Sequence, residues 1–454
     1  MRQIAAEQKA FFLTGATLDI NYRIERLKEL KNALIKYDDK IIDALHADLN
    51  KSSFESVLTE TGIVLDELNY FIKNIKKWNK PKRIKVPLTL MPAKSMLYRE
   101  PYGSALIISP WNYPLQLSIM PLIASIAAGN CSVIKLSEFS ERTSEVIAEM
   151  IGGVFEPQYI RAVTGDAVTG AALLLEPFDY IFFTGNAKVG KVVLKAAAAN
   201  LTPAALELGG KSPCIVDKSA DIETAAKKII WGKSLNAGQT CVAPDYVLIH
   251  SRIKTAFIKE ITAQAEKLYG AHSIEYEDFP KIISKRHYER ALELIDPAKT
   301  VYGGMADDIN CKIDLTIMDD ISWRHKSMQE EIFAPILPVV PYTNIDDVIP
   351  ILQNKEKPLA LYLFAKDKEL EEKVVNNLQC GSVCINDTVE HISSRYAPFG
   401  GAGASGMGQY HGKFGLETFS RLKHVYKKSG FFDNPLKYFP KDNKEKRLRF
   451  WFYR

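Results

Sequence analysis

Tyr180-Ile181-Phe182-Phe183-Thr184-Gly185-Asn186-Ala187-Lys188-Val189-Gly190-Lys191 is a short apolar run, then a glycine turn, then the opening of a helix. The first four residues have the bulky apolar character of a strand buried on both faces. Gly185 and Gly190 let backbone amides and a helix N-terminus approach a phosphate. Two nucleotide fingerprints nearly fit. The glycines and Lys191 have P-loop spacing, but Val192 stands where a Ser or Thr would hold magnesium. The GxGxxG pattern fails as well, because Asn186 and Ala187 precede Lys188. A two-glycine turn alone does not identify its ligand.

The same alternation extends outward from this stretch. Strand-like runs occur at Ala105–Ile108, Ser132–Lys135, Ile160–Val163 and Ala204–Glu207, with helix-like runs at 114–128, 141–151, 167–175 and 187–199. Apolar strands alternating with helices predict a parallel sheet covered on both faces. Five strands joined this way make a Rossmann-like domain, whose ligand is expected at the C-terminal ends of the strands. A second α/β series begins near Ser212, with strands at Cys214–Val216, Val247–Ile249, Ile336–Val340, Leu361–Phe364 and Ser382–Ile385. Before the first series, residues 1–80 read as successive helices: a stripe of Ile20, Ile24, Leu27, Leu30 and Leu34, a second segment from Asp38 to Leu49, and a third from Phe54 to Trp78. No chemical motif is apparent there. Pro81, Pro87 and Pro92 mark an extended arm that suits an edge strand or an excursion between subunits.

The chain is 454 residues long, 46% hydrophobic and 25% charged, which is ordinary globular composition and enough for two or three structural units. The formal net charge of +5 is small and spread out, so nucleic acid is not an expected partner. The exception is the basic, aromatic tail Lys441 to Arg454, which suits packing on another subunit or contact with a membrane surface. Six cysteines show no framework spacing. Cys380 and Cys384 are separated by three residues, not two, with no second pair or histidine cluster, so no metal site is expected. Reduced thiols and an N-terminus without the apolar core of a signal peptide point to the cytoplasm. The most apolar run, Ile119 to Ile134, is too short and interrupted to span a bilayer, so no transmembrane anchor is expected.

Chemistry gathers in four stretches: Trp111-Asn112-Tyr113-Pro114, Glu207-Leu208-Gly209-Gly210-Lys211, Asn236-Ala237-Gly238-Gln239-Thr240-Cys241 and Glu330-Glu331-Ile332-Phe333. Cys241 follows a small-residue loop between a helix-like run and a strand-like run, where reactive groups are commonly displayed. Taken singly, each residue has an ordinary alternative: a buried cysteine, a turn Asn before an X-Pro step, a strand-end Glu in an ion pair.

Taken together, in this order and separation, they resemble the aldehyde dehydrogenases. Gly238 to Tyr246, and the end from Pro398-Phe399-Gly400-Gly401 to Tyr410-His411-Gly412-Lys413, are similar to the class 3 branch, which takes fatty and aromatic aldehydes. The resemblance covers roughly residues 5 to 430. It implies an NAD(P)-binding domain at 1–80 and 101–209, a catalytic domain at 210–396, an oligomerisation arm at 81–100 and 415–430, a glycine-rich loop near the cleft at 397–414, and a tail at 431–454. It implies Cys241 as nucleophile, Asn112 as donor to an oxyanion and Glu207 as activator of water. It assigns the cofactor to Gly185 and Gly190 as a spaced pair, Lys135 and Glu138 at the adenosine ribose, Glu331 and Phe333 at the nicotinamide side, and Trp111. A carboxylate at Glu138 that accepts the ribose hydroxyls argues for NAD, although class 3 members often accept NADP too. Ala334 stands where the family usually has glycine. Tyr113, Phe399 and His411 are expected to line an apolar funnel for medium- or long-chain aliphatic or aromatic aldehydes. A homodimer is expected.

Three other classes fit less well. An acylating, coenzyme-A-dependent relative generally lacks the glutamate that Glu207 supplies. A thiol hydrolase needs a histidine partner for Cys241, and none of the eight histidines lies in a recognisable motif. A non-catalytic dinucleotide-binding protein would not need Cys241, Asn112 and Glu207 together.

Overall fold

Strands rich in Ile, Val, Leu and Phe come together as two mainly parallel sheets in a computed structural model, which describes residues 2–431, 433, 435–438 and 444–453. The first sheet has the strand order Gly406–Met407, Ala204–Leu208, Tyr180–Gly185, Ser104–Ile108, Cys131–Lys135, Ile160–Val163. Its five longer strands are parallel, and Gly406–Met407 pairs antiparallel at one edge. Helices Gln116–Ala128, Glu141–Gly152, Ala167–Leu174 and Ala187–Asn200 link successive strands, as the sequence pattern predicts. Every residue of Gln116–Ala128 is buried, so this helix is a core element rather than an amphipathic cover. The second sheet runs Thr300–Tyr302, Thr316–Met318, Ile336–Tyr342, Tyr246–His250, Pro213–Val216, Ala360–Phe364, Ser382–Ile385. All its pairings are parallel except that of Thr300–Tyr302 with Thr316–Met318.

The N-terminal helices differ from expectation in one respect. No break occurs at Asp38: Ile20–Leu49 is one helix of 30 residues. Leu27, Leu30, Leu34, Ile41, Leu45 and Leu49 are all fully buried, so one apolar stripe runs through both predicted segments. Asp19 caps its start by accepting from the Asn21 amide, and Asn50 ends it in the left-handed conformation. The third predicted helix divides into Ser53–Ser56, a widened π turn at Val57–Thr61, and Gly62–Trp78.

The proline-bearing arm forms an antiparallel three-stranded sheet, with Ala93–Pro101 between Lys82–Ile84 and Ser420–Lys428. The glycine-rich stretch is not wholly irregular, contrary to expectation. Gly406–Met407 adds a strand to the first sheet, and Gly412–Thr418 forms a helix that occupies the start of the predicted arm at 415–430. Glycine supplies what a side chain would block there. Gly406 has φ +144°, and a Cβ on it would lie 2.3 Å from the carbonyl oxygen of Leu206. Of the predicted tail, residues 432, 434, 439–443 and 454 lie outside the described residues, and Lys444–Phe452 is helical. Among the described residues no helix is long and apolar enough to cross a membrane.

Candidate active site

The loop that carries Cys241 is built from unusual backbone. The Ile222–Ser234 helix stops, and Asn236 and Ala237 both adopt left-handed dihedrals (φ 50°) before Gly238 at φ 71°. A Cβ on Gly238 would lie 2.4 Å from the carbonyl oxygen of Ala334, so this position requires glycine. Non-glycine residues in this region cost roughly 1–3 kcal/mol each. The surroundings hold them in place. The Asn236 amide donates to Glu55 Oε1 at 2.6 Å, and Gln239 is tied at both ends of its side chain, to Asn236 O and Lys281 O (3.0 Å each) and to the Ile283 amide at 3.0 Å. Cys241 follows, half-buried and in no disulfide. Burial pushes its thiol up to about 12, with the Glu331 and Glu207 carboxylates adding to the rise. At neutral pH the Cys241 side chain is therefore a neutral thiol.

Asn112 lies beyond the Ser104–Ile108 strand and is buried. Its Nδ2 donates to Gln239 O at 3.0 Å, which uses one of its two amide hydrogens and leaves the other without a partner among the described residues. Glu207 sits near the end of the Ala204–Leu208 strand, opposite Thr184 on one side and Gly406 on the other. Both of its carboxylate oxygens are buried without a hydrogen-bond partner among the described residues. Burial alone holds its carboxyl well above the usual range.

These three residues share one cleft of about 1300 Å³, whose wall also carries Trp111, Glu138, Gly185, Glu331, Phe333 and Phe399. Glu331 accepts from the Gly210 amide at 3.2 Å, and burial pushes it up to about 8. Gly209 makes room for it: a Cβ there would lie 2.2 Å from Glu331 Oε2. The backbone after it is clamped by Asp245, which accepts from the Ile332 amide at 3.0 Å, and by Arg290, which donates to Ile332 O at 2.6 Å. Phe333, at φ 50°, meets Trp111 edge to face at 5.5 Å. The cleft is large enough for a dinucleotide. One end is a capped helix N-terminus, where Asn186 accepts from the Val189 amide at 2.9 Å, and Glu138 lines the wall. These residues fit a dinucleotide by size and chemistry.

Four predicted residues are not on the cleft wall. Lys135 is buried behind it and donates to Glu138 Oε2 at 2.9 Å, so it orients that carboxylate. Gly190 lies one turn into the Ala187–Asn200 helix, where a Cβ would lie 2.9 Å from Leu208, so its role is close helix–sheet packing. Tyr113 is turned into the protein, with its hydroxyl 2.6 Å from Thr240 Oγ1. His411 is buried and stacks on Phe399 at 5.3 Å. Both back the site instead of lining this cleft. Sequence reading missed several residues as well. Lys211 donates to Asp245 Oδ2 at 2.5 Å and bridges two stretches, and it ends a quoted motif, which was a usable signal. Arg290 and His287 line the cleft from a segment with no motif at all.

Residues 2–425 match the Aldehyde dehydrogenase family. The 4,4'-diaponeurosporen-aldehyde dehydrogenase of Staphylococcus aureus (strain NCTC 8325 / PS 47) is 43% identical over 425 residues, 93% of each chain. The "Aldehyde dehydrogenase, dimeric NADP-preferring" of Canis lupus familiaris is 37% identical over 421 residues, again 93% of each. A solved structure described as the substrate-bound state of Staphylococcus aureus AldH superposes with a TM-score of 0.97 at 41% identity, covering 99% of both chains. The chain belongs to the aldehyde dehydrogenase family. It is an NAD(P)-dependent oxidoreductase acting on aldehydes.

Proposed function

We propose that Cys241, Asn112 and Glu207 carry out aldehyde oxidation through a covalent thioester. Cys241 loses its proton to water, and its sulfur bonds to the aldehyde carbon as the carbon–oxygen π bond opens onto the oxygen. The carbonyl oxygen becomes an oxyanion that accepts from the free Asn112 amide hydrogen and the Cys241 backbone N–H. One such donor contributes about 3–4 kcal/mol to the transition state. When bound, the nicotinamide dinucleotide supplies a hydride acceptor. Glu207 then takes a proton from water as the water oxygen bonds to the thioester carbon. The carbon–sulfur bond breaks, and the acid leaves with Cys241 restored as thiolate. The observation that carries this reading is the unpartnered, buried Glu207 carboxyl in the same cleft as Cys241. Burial makes it a stronger base than an exposed carboxylate, and an acylating enzyme has no use for it.

Glu138, steadied by Lys135, supports NAD, with NADP also accepted. Trp111, Phe333 and Phe399 on the wall support medium- or long-chain aliphatic or aromatic aldehydes, as does the relative named for 4,4'-diaponeurosporen-aldehyde. Six unpaired cysteines support a cytoplasmic setting. The three-stranded sheet exposes Tyr98, Leu422, Val425 and Tyr426, and one relative is named as dimeric, which supports a homodimer.

The test is initial-rate NAD(P)H formation across a panel of aldehydes. Cys241→Ala is expected to abolish it. Glu207→Gln is expected to leave at most one equivalent of NAD(P)H per active site, followed by turnover slowed at least ~100-fold. Steady turnover by Glu207→Gln at the wild-type rate rules out Glu207 as the base.

A further inference from the structure

Lys51 brings a fully buried ammonium from the N-terminal helices, where no motif was apparent, to the edge of the site. It donates to Glu60 Oε1 at 2.7 Å and to the backbone carbonyl of Asn112 at 3.1 Å, and it lies 4.0 Å from the centroid of the Tyr113 ring. Both charged side chains are 0% exposed. The other carboxylate oxygen, Glu60 Oε2, accepts from the amides of Leu115 and Gln116 at 2.9 and 3.0 Å, where the Gln116–Ala128 helix begins. The segment Asn112 to Gln116 is thus gripped at its first carbonyl, its second side chain and its last two amides. Asn236 Nδ2 also reaches the Asn112 carbonyl, at 2.8 Å, from the nucleophile loop.

A buried ion pair is a weak source of net stability, because desolvating two charges offsets their attraction. Its worth here is geometric. We propose that Lys51 and Glu60 are positioning residues for the oxyanion site: they fix the Asn112 backbone so that its free amide hydrogen stays aimed at the position of the developing charge beside Cys241. The π turn at Val57–Thr61 delivers Glu60 to this spot. Such widened turns often mark functional sites. Gly62 permits it, because a Cβ there would lie 2.5 Å from the carbonyl oxygen of Val57.

This inference rests on Asn112 being the oxyanion donor, and the experiment separates the two. The full-length variants Asn112→Ala, Lys51→Met/Glu60→Gln, their triple combination, and Gly62→Ala are compared with wild type for kcat, KM, dinucleotide Kd and thermal midpoint. The neutral pair keeps an acceptor for Leu115 and Gln116, and Gly62→Ala shifts Glu60 without removing a charge. The expected result is a kcat lowered about 10- to 100-fold in the neutral pair, with dinucleotide Kd within about twofold of wild type. The triple variant should be no slower than Asn112→Ala beyond about threefold, because the pair acts only through Asn112. Gly62→Ala should lower kcat in the same direction. Wild-type kcat in the neutral pair overturns the proposal, and so does a loss that multiplies with that of Asn112→Ala. If the neutral pair does not fold, Gly62→Ala decides alone by the same comparison with and without Asn112→Ala. If Asn112→Ala itself turns over normally, the oxyanion role falls, and the positioning role falls with it.

Discussion

Glu207 and Cys241 are both held in their neutral forms by burial, and in the proposed mechanism each has to ionise. For Glu207 this has a consequence for stability. Its carboxyl is raised in the folded chain above an unfolded value of about 4.3. The folded state therefore binds the extra proton, and its advantage is full below that value and lost as pH rises toward the folded one. Glu207→Gln has no proton to lose. Its thermal midpoint is expected to exceed wild type at neutral pH, with the gap widening by calorimetry as pH rises from about 4.3 toward the raised folded value. A gap that is constant with pH counts against a raised Glu207. The same ionisation makes thioester hydrolysis rise with pH in wild type, and single-turnover acid release from Glu207→Gln should lose that slope. Gly209 is a second residue-scale test. Gly209→Ala places a Cβ where Glu331 Oε2 now lies, so it should raise the dinucleotide KM at least about fivefold with little change in thermal midpoint.

Elements matter here through where they end. Cys241, Asn112 and Glu207 each stand at or just past the end of a helix or strand, where backbone groups are free to be directed at a ligand. The edge strand Gly406–Met407 is the least expected of these elements, because glycine is usually depleted in strands. It pairs Gly406 with Glu207 and so covers that residue from the side. Gly406→Ala would drive a Cβ onto the Leu206 carbonyl. It should cost more than about 2 kcal/mol of stability and slow hydrolysis more than hydride transfer. Chemical denaturation and a comparison of burst with steady-state rate check both parts. An unchanged midpoint in denaturant would mean that this strand does not hold Glu207. The same scale explains the missed continuity at Asp38. The sequence reading begins a second segment at Asp38, but the buried stripe from Leu27 to Leu49 carries the helix through.

At the scale of the whole molecule, the arm sheet of Lys82–Ile84, Ala93–Pro101 and Ser420–Lys428 joins the chain before the first sheet to its end. Its exposed Tyr98, Leu422, Val425 and Tyr426 are expected to be covered in a homodimer. Sedimentation should give twice the chain mass, and Leu422→Lys/Val425→Lys should shift the protein toward monomer with the fold retained. The sequence by itself determined the two α/β series and their longer strands, but not the short strands Gly406–Met407, Thr300–Tyr302 and Thr316–Met318, and it brought Cys241, Asn112, Glu207 and Glu331 forward as candidates through the family resemblance. Apolar runs at strand and helix period report burial, and a reactive side chain is readable wherever its own neighbours in the chain set its surroundings. Only the tertiary structure decided which residues share the cleft and which stand behind it. Gly190 and Tyr113 carry the same local signals as Gly185 and Asn112, yet packing turns them inward. It alone decided the roles of Lys51, Glu60 and Arg290. Their function is a contact with a distant carbonyl or amide, and a helix bearing a lysine and a glutamate looks the same in sequence whether those charges meet water or the backbone of Asn112.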